Sequence, residues 1–259
     1  MSRKTLDNIE IVAEVANCHS GSLVYFRRLI DYLSNSSFRL IKLQIYTASE
    51  LLVPDHPRFH HFQDQSFTFS EWEEIVGLCR NSNLIPIADI YGPESFDMAR
   101  SLRIDRLKIP STNMELDLTI FNEFASLNLE RLYLSTTGKK FYEIEKLLFW
   151  MNSFIKTNQP HILIHGHQEF PTPSAHTNLE YLTILNERFA NLAEIGFADH
   201  ISPVDNHLSR ACEIAIGAGA RYIEKHVCIE RSTTKVDFHS SLQVDEFEVF
   251  FKNIEAAIE

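Results

Sequence analysis

The 259-residue chain carries 35 acidic against 24 basic residues, a formal net charge of -11, and 44% of its residues are hydrophobic. That balance excludes a broad nucleic-acid-binding or anionic-membrane surface, so any anionic ligand must be held by a local basic cluster. The length supports a sizeable core in one large domain or two small ones, and disorder is not expected. The opening MSRKTLDNIEIVAEVANC holds no apolar core ahead of a small-residue cleavage site, and no apolar run approaches about 18 residues, which predicts a cytoplasmic protein. Cys18, Cys79, Cys212 and Cys228 are scattered without C-x-x-C spacing, so reduced thiols are expected, not a zinc knuckle or a disulfide framework.

In chain order, short β-rich runs alternate with segments of helical period. IEIVAEVA (9–16) precedes LVYFRRLIDYL, and RLIKLQIY (39–46) precedes a long connection over 47–68 and then FSEWEEIVGLC. LIPIADIY (84–91) is followed by ESFDMARSL, RIDRLKIP (103–110) by a weaker helix over 115–128, and RLYLST (131–136) by FYEIEKLLFWMNSFI. HILIHGH (161–167), LAEIGFAD (192–199) and RYIEKHV (221–227) are followed by NLEYLTILNERF, LSRACEIAIGAG and DEFEVFFKNIEAAI. Strict alternation implies parallel strands joined by crossover helices, and eight such units fit an α/β (β/α)8 barrel better than an open doubly wound sheet. Nothing marks a second domain, so residues 1–259 are expected to form one. The 47–68 connection, containing DHPRFHHFQDQ, is long enough to serve as a lid or an interface.

Active sites of such barrels lie at the C-terminal strand ends. Polar residues occur at all eight: Glu14 and His19, Lys42 and Gln44, Asp89, Lys108 and Ser111, Ser135 and Thr136, His165, His167 and Gln168, Asp199 and His200, and Glu224 with His226. Alternation places Lys42 with Gln44 on one face of the second strand, and Tyr222, Glu224 and His226 together on one face of the eighth. Each residue also has a bland role, a solvated rim charge for a lysine and a helix cap for a hydroxyl. Together, Lys42 and Lys108 with hydroxyls and helix N-termini would make an anion pocket suited to a phosphorylated substrate. His200 and His226 end adjacent strands, close enough to share a divalent ion, although each could instead cap its own strand through a hydrogen bond. DHPRFHH matches no ligand spacing and is expected as a solvated loop, and Cys18 as a buried thiol.

These motifs, in order, resemble the sialic acid synthases, the family of N-acetylneuraminate, legionaminate and pseudaminate synthases. AEVANCHSGS resembles A-E-I-G-x-N-H-N-G-S, IKLQ resembles V-K-F-Q, LKIPS resembles F-K-I-x-S, and YLST resembles I-L-S-T. HGHQEFPTP resembles H-C-x-x-x-Y-P-T-P, IGFADH resembles V-G-x-S-D-H, and YIEKHVCIE with VDFHSSL resembles I-I-E-K-H-F-x-L-D followed by P-D-x-x-x-S-L. The resemblance spans about residues 9 to 258. It implies small-molecule substrates, phosphoenolpyruvate and a sugar, condensed to a sialic-acid-like 2-keto-3-deoxy sugar acid with release of phosphate. By it, Lys42, Lys108, Ser111, Ser135 and Gln168 hold phosphoenolpyruvate, and His200 and His226 bind Mn or a similar divalent metal. By it too, Glu14, Lys42, Glu224 and Asp237 serve the chemistry, and a homodimer is the assembly it admits. Gln168, Phe170 and Ala198 depart from the family's Asn, Tyr and Ser, and the sequence ends after the eighth helix, without the family's C-terminal antifreeze-like domain. Two other readings stand beside it: an aldolase or lyase using a Schiff base on Lys42 or Lys108, and a non-catalytic barrel that binds a phosphorylated metabolite.

Overall fold

The computed structural model describes residues 9–36, 38–113, 123–205 and 208–258. Strands β1 (Glu10–Glu14), β2 (Leu40–Ile45), β3 (Ile85–Ile90), β4 (Arg106–Ile109), β5 (Arg131–Ser135), β6 (Ile162–Gly166), β7 (Glu194–Asp199) and β8 (Ala220–Cys228) each pair in parallel with the next. β8 then pairs in parallel with β1, Val12 opposite Glu224 and Glu14 opposite His226, which closes the barrel. The expected (β/α)8 barrel is therefore present. A two-residue strand, β9 (Leu242–Gln243), adds to the outer end of β8.

Strand alternation sorts the side chains into two buried layers. Val12, Leu40, Ile87, Tyr133, Ile162, Ile164, Ala198 and Tyr222 point inward and pack with one another. Ile11, Ile41, Leu43, Leu107, Ile195 and Ile223 point outward into a larger layer shared with the helices. Helix α1 (Leu23–Ser34) shows how that layer is built: Ser22 caps it by accepting the Tyr25 amide at 3.2 Å, and Phe26, Leu29, Ile30 and Leu33 form its buried stripe. Each such side chain contributes about 1.5–3 kcal/mol of burial. The helix expected over 115–128 falls mostly outside the described residues, although Phe124 near its end is buried. Among the described residues no helix is long and apolar enough to cross a membrane, and all four cysteines are buried free thiols.

The 47–68 connection is a folded segment with two short helices, α2 (Ala48–Leu51) and α3 (Phe59–Gln63). DHPRFHH is mostly exposed, as expected, but its last three residues are helical, and packing at both ends of the connection fixes its path. At one end Glu50 accepts the Ser95 amide at 3.0 Å, seated where a Cβ on Gly92 would lie 2.6 Å from its carboxylate. At the other, Gly21 has φ +76° and leaves room for the Asp64 carbonyl, which a Cβ would meet at 2.2 Å. Gly21→Ala should therefore destabilise the fold by at least about 1–3 kcal/mol, read as a lower denaturant midpoint. An unchanged midpoint would show that this contact does not anchor the segment.

Candidate active site

Four inward-facing residues from β1, β2, β3 and β8 build a buried charge cluster at the C-terminal end of the barrel. The Lys42 ammonium lies 2.6 Å from Glu14 Oε2, 3.0 Å from Asp89 Oδ2 and 2.7 Å from Glu224 Oε1. From β4, Lys108 donates to both oxygens of Glu224, at 2.8 and 3.1 Å, and stands 3.9 Å from Asp89. The Tyr222 phenol, one turn of the pleat below, donates to Glu224 Oε2. Burial alone would push the Glu224 carboxyl up, but Lys108 and Lys42 hold it well below the usual carboxylate range. Burial likewise opposes the Lys108 charge, and Asp89 and Glu224 overcome it and raise that ammonium above its ordinary value. For Lys42 burial prevails over Asp89 and Glu224 and lowers it.

Beside this cluster stand two histidines, their ring centroids 5.1 Å apart. His200 Nδ1 donates to the His167 carbonyl at 2.9 Å, which leaves Nε2 with the free lone pair. His226 Nδ1 is buried without a hydrogen-bond partner. Burial pushes His200 down to about 3 and His226 well below its usual value, so both are neutral imidazoles, the form that ligates metal. An orphaned nitrogen on one ring and an oriented lone pair on the other fit a divalent ion that draws its remaining ligands from water or substrate. Phe170 packs on this pair, 4.4 Å from the His200 ring and 6.0 Å from that of His226.

A cavity of about 530 Å3 opens above, within the size range of small-molecule sites. Of the residues expected in the site, Lys42, Lys108, Ser111, Ser135, Gln168, His200, Glu224, His226 and Asp237 all line it. Asp237, at φ 58°, accepts the Asn17 amide at 3.0 Å, and burial raises its carboxyl. Glu14 is the exception: fully buried, it lies beneath Lys42 and accepts the Ala16 amide at 2.7 Å, so it supports the floor and does not line the cavity. Other strand-end residues took their bland roles. His19 stacks on Phe26 and Phe67, His165 bonds the Thr177 carbonyl at 2.9 Å, Thr136 caps the Ile164 carbonyl, and Asp199 pairs with Lys225 on the outer face of the barrel.

Sequence reasoning missed Asn17, Glu50, Arg58, Phe62, Tyr91 and Thr137, which also line the cavity. Arg58 and Phe62 come from DHPRFHHFQDQ, the guanidinium 5.0 Å from the ring, and the length of that connection was the only signal available for them.

The family model described as the NeuB family matches residues 29–259, and the chain belongs to that family. An N,N'-diacetyllegionaminic acid synthase of Campylobacter jejuni is 25% identical over 97% of this chain and 76% of its own length. The N-acetylneuraminate-9-phosphate synthase of Drosophila melanogaster is 24% identical over 95% of this chain and 67% of its own. The crystal structure of an N-acetylneuraminic acid synthetase from Leptospira borgpetersenii superposes with a TM-score of 0.86 at 22% identity, covering 98% of this chain and 85% of that one, a likeness of fold.

Removing one partner of a buried ionic cluster leaves charges uncompensated, so Glu224→Gln should cost about 3–5 kcal/mol of stability at neutral pH. The folded Glu224 carboxyl lies below its unfolded value of about 4.3, so its contribution is complete above that pH and fades as pH falls through the folded value. The stability gap between parent and variant should therefore narrow on acidification below about pH 4.3. A gap that is small at neutral pH, or that widens in acid, would contradict this assignment of charges.

Proposed function

We propose that the chain is a cytoplasmic phosphoenolpyruvate-dependent synthase that acts on an aldose or N-acyl amino sugar, forming a sialic-acid-like 2-keto-3-deoxy sugar acid and phosphate. The observation that carries this reading is the meeting, in one cavity, of Lys108 and its polar neighbours with the His200 and His226 pair. A substrate bearing both a phosphate and a carboxylate needs charge-assisted donors, and Lys108 supplies them together with Ser111, Ser135 and Gln168. Lys42, held by Glu14, Asp89 and Glu224, adds positive charge below. His200 and His226 would hold Mn or a similar divalent ion, which when bound polarises the aldehyde of the sugar.

The enol carbon 3 forms the new bond to the aldehyde carbon, whose oxygen gains a proton. Water adds at carbon 2 and gives up both protons in net, one to the former aldehyde oxygen and one to phosphate, as the bond from carbon 2 to the bridging oxygen breaks with its electron pair leaving on phosphate. Glu224 and Asp237 line the cavity and would orient that water. Glu14 acts at one remove, through Lys42. Schiff-base chemistry fits less well, because it needs a free, neutral amine: Lys42 has carboxylate oxygens of Glu14, Asp89 and Glu224 within 3.0 Å, and Asp89 and Glu224 keep Lys108 charged.

Charge-assisted contacts contribute about 1.5–3 kcal/mol each, so Lys108→Ala should weaken phosphoenolpyruvate binding by roughly tenfold to over a hundredfold in calorimetry. The parent, given phosphoenolpyruvate, Mn and a panel of hexosamines and aldoses, should release phosphate. Unchanged affinity in the variant would overturn the anion pocket. Binding without phosphate release from any sugar would favour the non-catalytic barrel, and an adduct trapped by borohydride would favour the aldolase.

A further inference from the structure

The segment that leaves β6 carries a second set of ligating groups, outside the lining of the cavity. His167 and Glu169 alternate with Gln168 and Phe170, which line the cavity. His176, in the 3-10 turn Ser174–His176, returns to meet them. Glu169 Oε2 lies 3.1 Å from His176 Nδ1 and 3.5 Å from His167 Nε2, with the two rings 5.9 Å apart. One ligand atom from each of the three residues lies within 4.8 Å of the others, the only such trio of His, Cys, Asp or Glu among the described residues. All three side chains are about half exposed, and His176 Nδ1 lies within hydrogen-bond distance of Glu169 Oε2 when no ion is bound.

Two atoms bound at about 2.0–2.1 Å to a tetrahedral ion stand about 3.3–3.4 Å apart, a value that the 3.1 and 3.5 Å separations bracket. Two imidazoles and a carboxylate are a donor set for zinc-class ions, and they leave the fourth position to water. The same segment holds the site. The His167 carbonyl accepts the Nδ1 proton of His200, Thr172 N donates to the His200 carbonyl at 2.9 Å, and the Thr172 hydroxyl donates to the Glu169 carbonyl at 2.7 Å.

We propose that His167, Glu169 and His176 form a zinc-class metal site that staples the segment after β6 and so fixes the backbone that orients His200, Gln168 and Phe170. It is distinct from the His200 and His226 pair and does not depend on the proposed reaction. The test uses the His200→Ala, His226→Ala double variant, in which the pocket pair is gone. Titrated with Zn against a chromophoric chelator, this protein should bind one equivalent, and Co should give the visible absorption of a tetrahedral site. Adding His176→Ala, an exposed substitution checked for folding by circular dichroism, should weaken binding on the order of a hundredfold by removing one of three protein ligands. In the otherwise unsubstituted chain, Zn should slow amide hydrogen exchange over residues 165–177, and His176→Ala should abolish that slowing. Equal Zn affinity with and without His176→Ala would overturn the site. Unchanged exchange on adding Zn would overturn the staple.

Discussion

The carboxylate of Glu224 is the contact on which the site depends. Its two oxygens bind Lys42, Lys108 and the Tyr222 phenol, so groups from β2, β4 and β8 are fixed relative to one another by a single side chain. Three carboxylates and two ammoniums share this buried volume, and such a group is stable only if every member stays paired. Beneath it the interior stays partly polar. The Tyr222 ring packs on Tyr133 at 5.2 Å, and the Tyr133 phenol donates to Glu10 and accepts from Arg106. Charged and hydroxyl groups therefore run along the barrel axis from its N-terminal end to the cavity, with apolar side chains such as Val12, Ile87 and Ile164 packed around them.

That arrangement gives the two lysines different work. Lys42 has three carboxylate groups within 3.0 Å, an arrangement that holds the floor of the cavity rigid. Lys108 is bonded to Glu224 alone at short range, with Asp89 at 3.9 Å, and keeps a donor for an incoming anion. The imidazole pair lies beside them in the neutral state, with one nitrogen oriented by a backbone carbonyl. On the proposed function, a charged anchor and a neutral ligand pair in one cavity would divide phosphate recognition from activation of a carbonyl.

Much of this was legible in the sequence because barrel architecture turns order along the chain into position. Period-2 alternation was enough to put Lys42 beside Gln44, and Glu224 and His226 above Tyr222, all facing inward. Eight strands in sequence then brought those faces to one end. Partner choice was not legible. Nothing in the sequence says that Glu224 would take both lysines, or that Glu14 would sink beneath Lys42, because both depend on side-chain length across a closed interior. Arg58, Phe62 and Glu50 were invisible for another reason: they reach the cavity through a long connection whose path is set by the fit of Glu50 against Gly92 and of Asp64 against Gly21. The exposed trio of His167, Glu169 and His176 needed a turn to bring its third member back, and spacing alone gave no sign of it.

On the proposed function, this barrel end cleaves the bond between carbon 2 and the bridging oxygen of phosphoenolpyruvate while making a carbon–carbon bond. Phosphoenolpyruvate with heavy oxygen at the bridge, supplied with Mn and an accepting sugar, reports on that bond directly by mass spectrometry of both products. The account predicts the label in the released phosphate and none in the keto acid. Label retained in the keto acid would mean attack at phosphorus and would contradict it.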